Sequence, residues 1–121
     1  MTIEQCYQTL GGSFAEVSMR LPSVRLVEKF IEKFLADGSF DALCAQMSSG
    51  SRVDAFRAAH TLKGVCANLG FGRLLSSTSR LTEMLRPEGS AIPAEAGPLM
   101  DEVREDYRVT VEAIRAYLGQ S

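Results

Sequence analysis

The stretch from His60 to Gly70 reads His-Thr-Leu-Lys-Gly-Val-Cys-Ala-Asn-Leu-Gly and holds the only histidine of the chain. An α-helix turns about 100° per residue, so residues three and four positions apart lie on the same face. The residues that would share a face with His60 are Phe56, Arg57, Lys63, Gly64 and Ala67. This face therefore combines an imidazole, two cations and small residues.

The opposite face of the same helix is apolar. It contains Leu62, Cys66 and Leu69, flanked by Ala55 and Ala59. A helix buries such a stripe against its neighbours. We therefore expect the imidazole of His60 to point outward, in surroundings suited to receiving an anion.

The rest of the chain is helical in pattern, and strand-like alternation is absent. The expected helices run from Thr2 to Leu10, from Ser13 to Arg20, from Pro22 to the stop at Gly38, from Phe40 to Ser48 behind a Ser39 cap, from Ser51 to Leu69, from Arg73 to Leu85 and from Leu99 to Leu118. Residues Arg86 to Pro98 hold three of the four prolines and form the main predicted loop.

These helices predict an all-α fold, an antiparallel four-helix bundle with additional short N-terminal helices. We expect one domain over residues 1–121, with the bundle core at about 39–119. The bundle helices are those containing Phe40, His60, Leu81 and Val111, and the helix containing Phe30 covers one end. Phe30, Phe34, Phe40 and Phe71 are expected in the core, and the charges from Asp101 to Arg108 on the wet face of the last helix.

Composition narrows the classes of function. The net charge of −2 argues against nucleic-acid binding, which requires a basic surface. No apolar run approaches the roughly 20 residues of a membrane span, so we expect a cytoplasmic protein with no membrane partner. Cys6, Cys44 and Cys66 are expected to be small buried hydrophobic residues, and one histidine without paired cysteines predicts no metal site.

The face of His60 is suited to phosphoryl transfer. A neutral imidazole offers a nucleophilic nitrogen near neutral pH, and the transfer depends mainly on positioning and on neutralising phosphoryl oxygens. Lys63 and Arg57 lie about one turn from His60 on either side. Gly64 costs a helix about 1 kcal/mol relative to alanine, and the absence of its side chain would clear access to the imidazole.

The motif resembles that of histidine-containing phosphotransfer (HPt) domains, which is His-x-Leu-Lys-Gly, four variable residues, an aliphatic residue and glycine. The matching positions are His60, Leu62, Lys63, Gly64, Leu69 and Gly70, with no departure. The preceding Arg57-Ala58-Ala59 and the following Gly72-Arg73-Leu74 are also similar to that family. The close motif covers about 20 residues, and the helical layout extends the resemblance over most of the chain.

The resemblance implies an intermediate of a two-component phosphorelay. His60 would be the phosphoacceptor through its Nε2, Lys63 would steady the phosphoryl group and Gly64 would give clearance. The partners would be response-regulator receiver domains or a hybrid sensor kinase, with Mg²⁺ held by the receiver and no cofactor on this chain. From their helical positions alone, Phe56, Arg57 and Ala67 are expected to contact the partner. We expect a monomer and a phosphoryl carrier without kinase activity of its own.

Two other functions remain open from the residues. One is a silent helical adaptor that binds a receiver or a sensor kinase without being phosphorylated. The other is a hydrolase with His60 as its base, which the sequence disfavours because no nucleophile with an orienting carboxylate is evident near the motif.

Overall fold

Seven α-helices are present in the computed structural model, which describes residues 1–119. They are α1 Ile3–Leu10, α2 Phe14–Arg20, α3 Val24–Phe34, α4 Ser39–Ser49, α5 Arg52–Leu69, α6 Gly72–Met84 and α7 Ala96–Leu118. Residues 1–119 contain no strand, so the prediction of an all-α chain is confirmed. The last two positions of the predicted domain lie outside the described residues.

Helices α4 to α7 form the bundle, and each packs against the next along the chain. Only two residues separate α4 from α5 and α5 from α6, so these neighbours run antiparallel. The rings of Phe40 and Tyr107 stack with their centroids 3.8 Å apart, which joins α4 to α7. The predicted bundle is therefore confirmed.

The short helix α1 also contributes to the buried core. It packs against α7, with Ile3, Cys6, Tyr7 and Leu10 buried. Their spacing places these side chains on one helix face. The core therefore begins at the first helix and is not confined to the bundle helices.

The N-terminal segment also caps the C-terminal end of α5. The last carbonyls of a helix have no partner within it and need one elsewhere. The hydrogen bonds that provide partners run from Tyr7 Oη to Leu69 O (2.7 Å), from Arg20 Nε to Asn68 O (3.0 Å), from Arg20 Nη2 to Ala67 O (2.7 Å) and from Ser13 N to Gly70 O (2.9 Å). Residues of α1, α2 and their connection thus hold the helix that carries His60.

Some predicted boundaries are wrong for local reasons. Pro22 precedes α3, and Ser23 is its N-cap, accepting a hydrogen bond from Leu26 N. Ser39 is the first residue of α4 and not its predicted cap, since Gly38 occupies the N-cap position and the N–H of Ser39 donates to the carboxylate of Asp37 at 2.8 Å. Helix α7 begins at Ala96 because Pro98 is tolerated in a first turn, where the backbone N–H lacks a helical partner in any case.

Several side chains, among them Phe30, Cys44 and Asp106, depart from their predicted burial. Phe30 is 38% exposed, because α3 turns Val27, Ile31 and Phe34 toward the core instead. Cys44 is half-buried, unlike the buried Cys6 and Cys66. Asp106 is predicted on the solvent-exposed face of the last helix but is only 5% exposed.

Asp106 is buried because α7 packs against both α6 and α1 and therefore has a wider inward face. Its carboxylate accepts a hydrogen bond from Arg73 Nε at 2.8 Å, so the buried charge is paired. This ion pair joins the first turn of α6 to the middle of α7.

Tyr7→Phe tests the anchoring of α5. The substitution leaves the buried carbonyl of Leu69 without the Tyr7 hydroxyl, so the free energy of unfolding should fall by about 1–3 kcal/mol. Urea denaturation measures the change. Tyr107→Phe is the matched control, since the Tyr107 hydroxyl has no hydrogen bond to the described residues, and it should shift stability by less than about 0.5 kcal/mol. Equal losses in the two variants would contradict this role for the Tyr7 hydroxyl.

Candidate functional site

Helix α5 presents His60 to solvent. Its first turn is capped by Ser51, whose hydroxyl accepts a hydrogen bond from Asp54 N, and it ends at Gly70 in the left-handed conformation. All members of the predicted apolar stripe are buried: Ala55, Ala59, Leu62, Cys66 and Leu69. The opposite face is left outward, with His60, Gly64 and Ala67 exposed.

The thiol on the apolar side of α5 is unreactive. Burial, and to a smaller extent the charge of Asp37, raises the pKa of the Cys66 thiol to about 12. The thiolate, which is the reactive form, is therefore scarce at neutral pH. Reactive groups of α5 are confined to its outer face.

The surface beside the imidazole is open at Gly64. A Cβ built on Gly64 would lie more than 4 Å from every heavy atom apart from its chain neighbours and its own helix backbone. Ala67, one turn further on, is exposed as well. The predicted absence of bulky side chains beside His60 is therefore confirmed at these two positions.

The two predicted cations differ in their surroundings. Arg57 is exposed and lies 3.6 Å from Asp54, an exposed pair of the kind that stabilises a protein little. Lys63 is half-buried, and within residues 1–119 no ion pair includes its ammonium group. Lys63 is thus available to an anion bound beside His60.

Two further charges lie on this side of the molecule, Glu83 on α6 and Arg86 just after that helix, and neither was predicted as part of the site. Arg86 forms two hydrogen bonds of 3.0 Å to the carboxylate of Glu83. These bonds, followed by the charge of Arg86 and more weakly that of Lys63, hold the pKa of Glu83 below its usual range. The spacing of Glu83 and Arg86 was visible in the sequence, but their position beside α5 follows from the packing of α6.

An aromatic contact accompanies these charges. The ring of Phe56 lies one turn before His60, with centroids 6.2 Å apart and planes inclined by 19°. The guanidinium carbon of Arg86 lies 5.8 Å from the centroid of the same Phe56 ring. Phe56 is half-buried, so only part of its ring is open to a partner.

The site is an exposed nucleophile on a helix surface. An accessible imidazole with a cation one turn away can accept a phosphoryl group from an activated donor. Within residues 1–119, no three His, Cys, Asp or Glu side chains come together as metal ligands.

Comparison with protein families identifies the chain. The model of the Hpt domain matches residues 25–118, which is most of the sequence and includes the whole of α4 to α7. The chain belongs to the Hpt domain family. Searches among curated proteins and among solved structures found no significant match.

Membership in the Hpt family gives this chain a phosphotransfer role in two-component signalling, in which Hpt domains interact with receiver domains and kinases. The match begins inside α3, so the segment that caps the end of α5 lies before it. None of the helices in residues 1–119 has the length and apolar character needed to cross a membrane.

The two motif glycines should respond oppositely to alanine. Gly64→Ala should raise the free energy of unfolding by up to about 1 kcal/mol, because the site is helical and has room for a methyl group. Gly70→Ala should lower it by at least about 1–2 kcal/mol through the left-handed backbone alone. Its Cβ would also lie 2.8 Å from the carbonyl oxygen of Ser13. Urea denaturation of both variants checks the signs, and destabilisation by Gly64→Ala would contradict the open space at that position.

Proposed function

We propose that the chain carries a phosphoryl group on His60 between receiver domains of a two-component phosphorelay. The observation that supports this most strongly is the exposed imidazole of His60 beside the unobstructed Gly64, in a member of the Hpt family. The partners are response-regulator receivers or a hybrid sensor kinase, and the chain acts as a carrier without kinase activity of its own.

The first transfer is a displacement at phosphorus. The Nε2 lone pair of neutral His60 attacks the aspartyl phosphate of the receiver. The Nε2–P bond forms as the bond between phosphorus and the aspartyl oxygen breaks, and the aspartate leaves as a carboxylate. In the transfer to a second receiver, the Nε2–P bond breaks as a bond forms between phosphorus and an aspartate oxygen of that receiver.

The positive charge of Lys63 assists phosphoryl transfer both to His60 and away from it. Lys63 is one helical turn from His60 and would meet the phosphoryl oxygens, whose negative charge a nearby ammonium group stabilises. Mg²⁺, which further neutralises the group, would be held by the receiver and not by this chain. This chain contributes the nucleophile, its orientation and a cation.

Docking would use the surface around His60. Arg57 and Ala67 are exposed on either side of the imidazole, and neither projects over Gly64. A receiver could therefore approach along α5 and bring its phosphoaspartate to Nε2. We propose that the chain does so as a cytoplasmic monomer.

Replacement of His60 tests the acceptor directly. The protein is mixed with a phosphorylated receiver and Mg²⁺, and the chain is assayed for an acid-labile, base-stable phosphoryl group. His60→Gln should lose this label entirely. Its free energy of unfolding should change by less than about 0.5 kcal/mol, because the side chain is exposed. Label on the folded variant would refute His60 as the acceptor, whereas receiver binding by an unlabelled wild type would favour the silent adaptor.

Gly64→Gln tests the clearance beside the imidazole. The new side chain would project into open space next to His60 and hinder the incoming phosphoryl group, so transfer should slow by roughly 10- to 100-fold. Ala116→Gln is the control, because Ala116 is also a small exposed residue inside a helix, but on α7. Single-turnover transfer rates and circular dichroism are compared. Equal rates in the two variants would show that clearance at Gly64 is unimportant.

A further inference from the structure

The imidazole of His60 has an aromatic neighbour on its own helix. Phe56 lies one turn earlier, with its ring nearly parallel to the imidazole and the centroids 6.2 Å apart. Such offset arrangements are favourable for aromatic pairs. An exposed side chain otherwise populates several staggered rotamers, so the contact with Phe56 restricts where Nε2 points.

Phe56 is itself held from two sides. Part of its side chain packs against the hydrophobic core. The Arg86 guanidinium lies 5.8 Å from the ring centroid, within range of a cation–π interaction. Arg86 in turn forms two hydrogen bonds of 3.0 Å to Glu83, an exposed pair that restricts it only weakly. The neighbour of the imidazole is therefore a constrained ring rather than a loose surface side chain.

We propose that Phe56 is a positioning residue that orients the His60 imidazole for phosphoryl transfer. The proposal rests on the function proposed above and changes the role expected of Phe56 from docking to orientation. Phosphoryl transfer depends largely on alignment of the attacking atom with phosphorus. A ring that narrows the rotamers of His60 raises the fraction of encounters in which Nε2 is aligned.

Docking and orientation predict different kinetics. A docking residue alters the receiver concentration needed for half-maximal transfer and leaves the maximal rate unchanged. A positioning residue alters the maximal rate, measured when all of the protein is bound to receiver. Single-turnover transfer over a range of phosphorylated receiver concentrations separates the two quantities.

The test uses Phe56→Leu, Phe56→Tyr and the control Phe30→Leu. Phe56→Leu should lower the maximal rate about three- to tenfold, the range expected for loss of one aromatic pair. Phe56→Tyr keeps the ring and should restore the rate. Phe30→Leu makes the same change at an exposed phenylalanine on α3 and should leave the maximal rate unchanged. A change confined to half-saturation in Phe56→Leu would overturn the proposal.

NMR adds a readout that does not depend on transfer. His60 is the only histidine, so its ring protons are unambiguous. They should show nuclear Overhauser contacts to Phe56 and a ring-current shift that disappears in Phe56→Leu and persists in Phe56→Tyr. Absence of these contacts in the wild type would overturn the proposal even if the chain takes up label. A wild type without label would instead refute the proposed function.

Discussion

Burial of one face of α5 fixes the orientation of the other. Ala55, Ala59, Leu62 and Cys66 are each fully inaccessible to solvent, and a rotation of the helix that exposed them would lose the hydrophobic free energy of the core. Because the backbone is helical from Arg52 to Leu69, His60 lies on the opposite face and must point to solvent. The exposure of the nucleophile is thus a consequence of how the bundle packs.

Contacts at the C-terminal end of α5 hold the helix in place along its axis. Gly70 adopts the left-handed conformation, and a Cβ there would lie 2.8 Å from the Ser13 carbonyl oxygen, so the chain crosses the N-terminal segment too closely for any other residue. Tyr7 and Arg20 bond the carbonyls of the last turn. The two glycines of the motif therefore serve different purposes: Gly70 permits packing, and Gly64 leaves space for a partner.

The sequence predicted the parts of the molecule that local periodicity determines. The seven helices, the buried stripe of α5 and the outward position of His60 all follow from residue spacing and capping. Features that depend on which helices meet were not predictable in this way. The burial of Asp106 requires α7 to pack against two partners, and the approach of Arg86 to Phe56 requires the packing of α6 beside α5. The exposure of Phe30 likewise depends on how α3 packs, because Val27, Ile31 and Phe34 face the core instead.

The central claim is that His60 is the residue that carries the phosphoryl group, on an open helix face. Tandem mass spectrometry of the wild-type chain, after incubation with a phosphorylated receiver and digestion at neutral to basic pH, locates the group directly. The account predicts one phosphoryl group, on the peptide that contains His60 and on that residue. A phosphoryl group on any other side chain would contradict it.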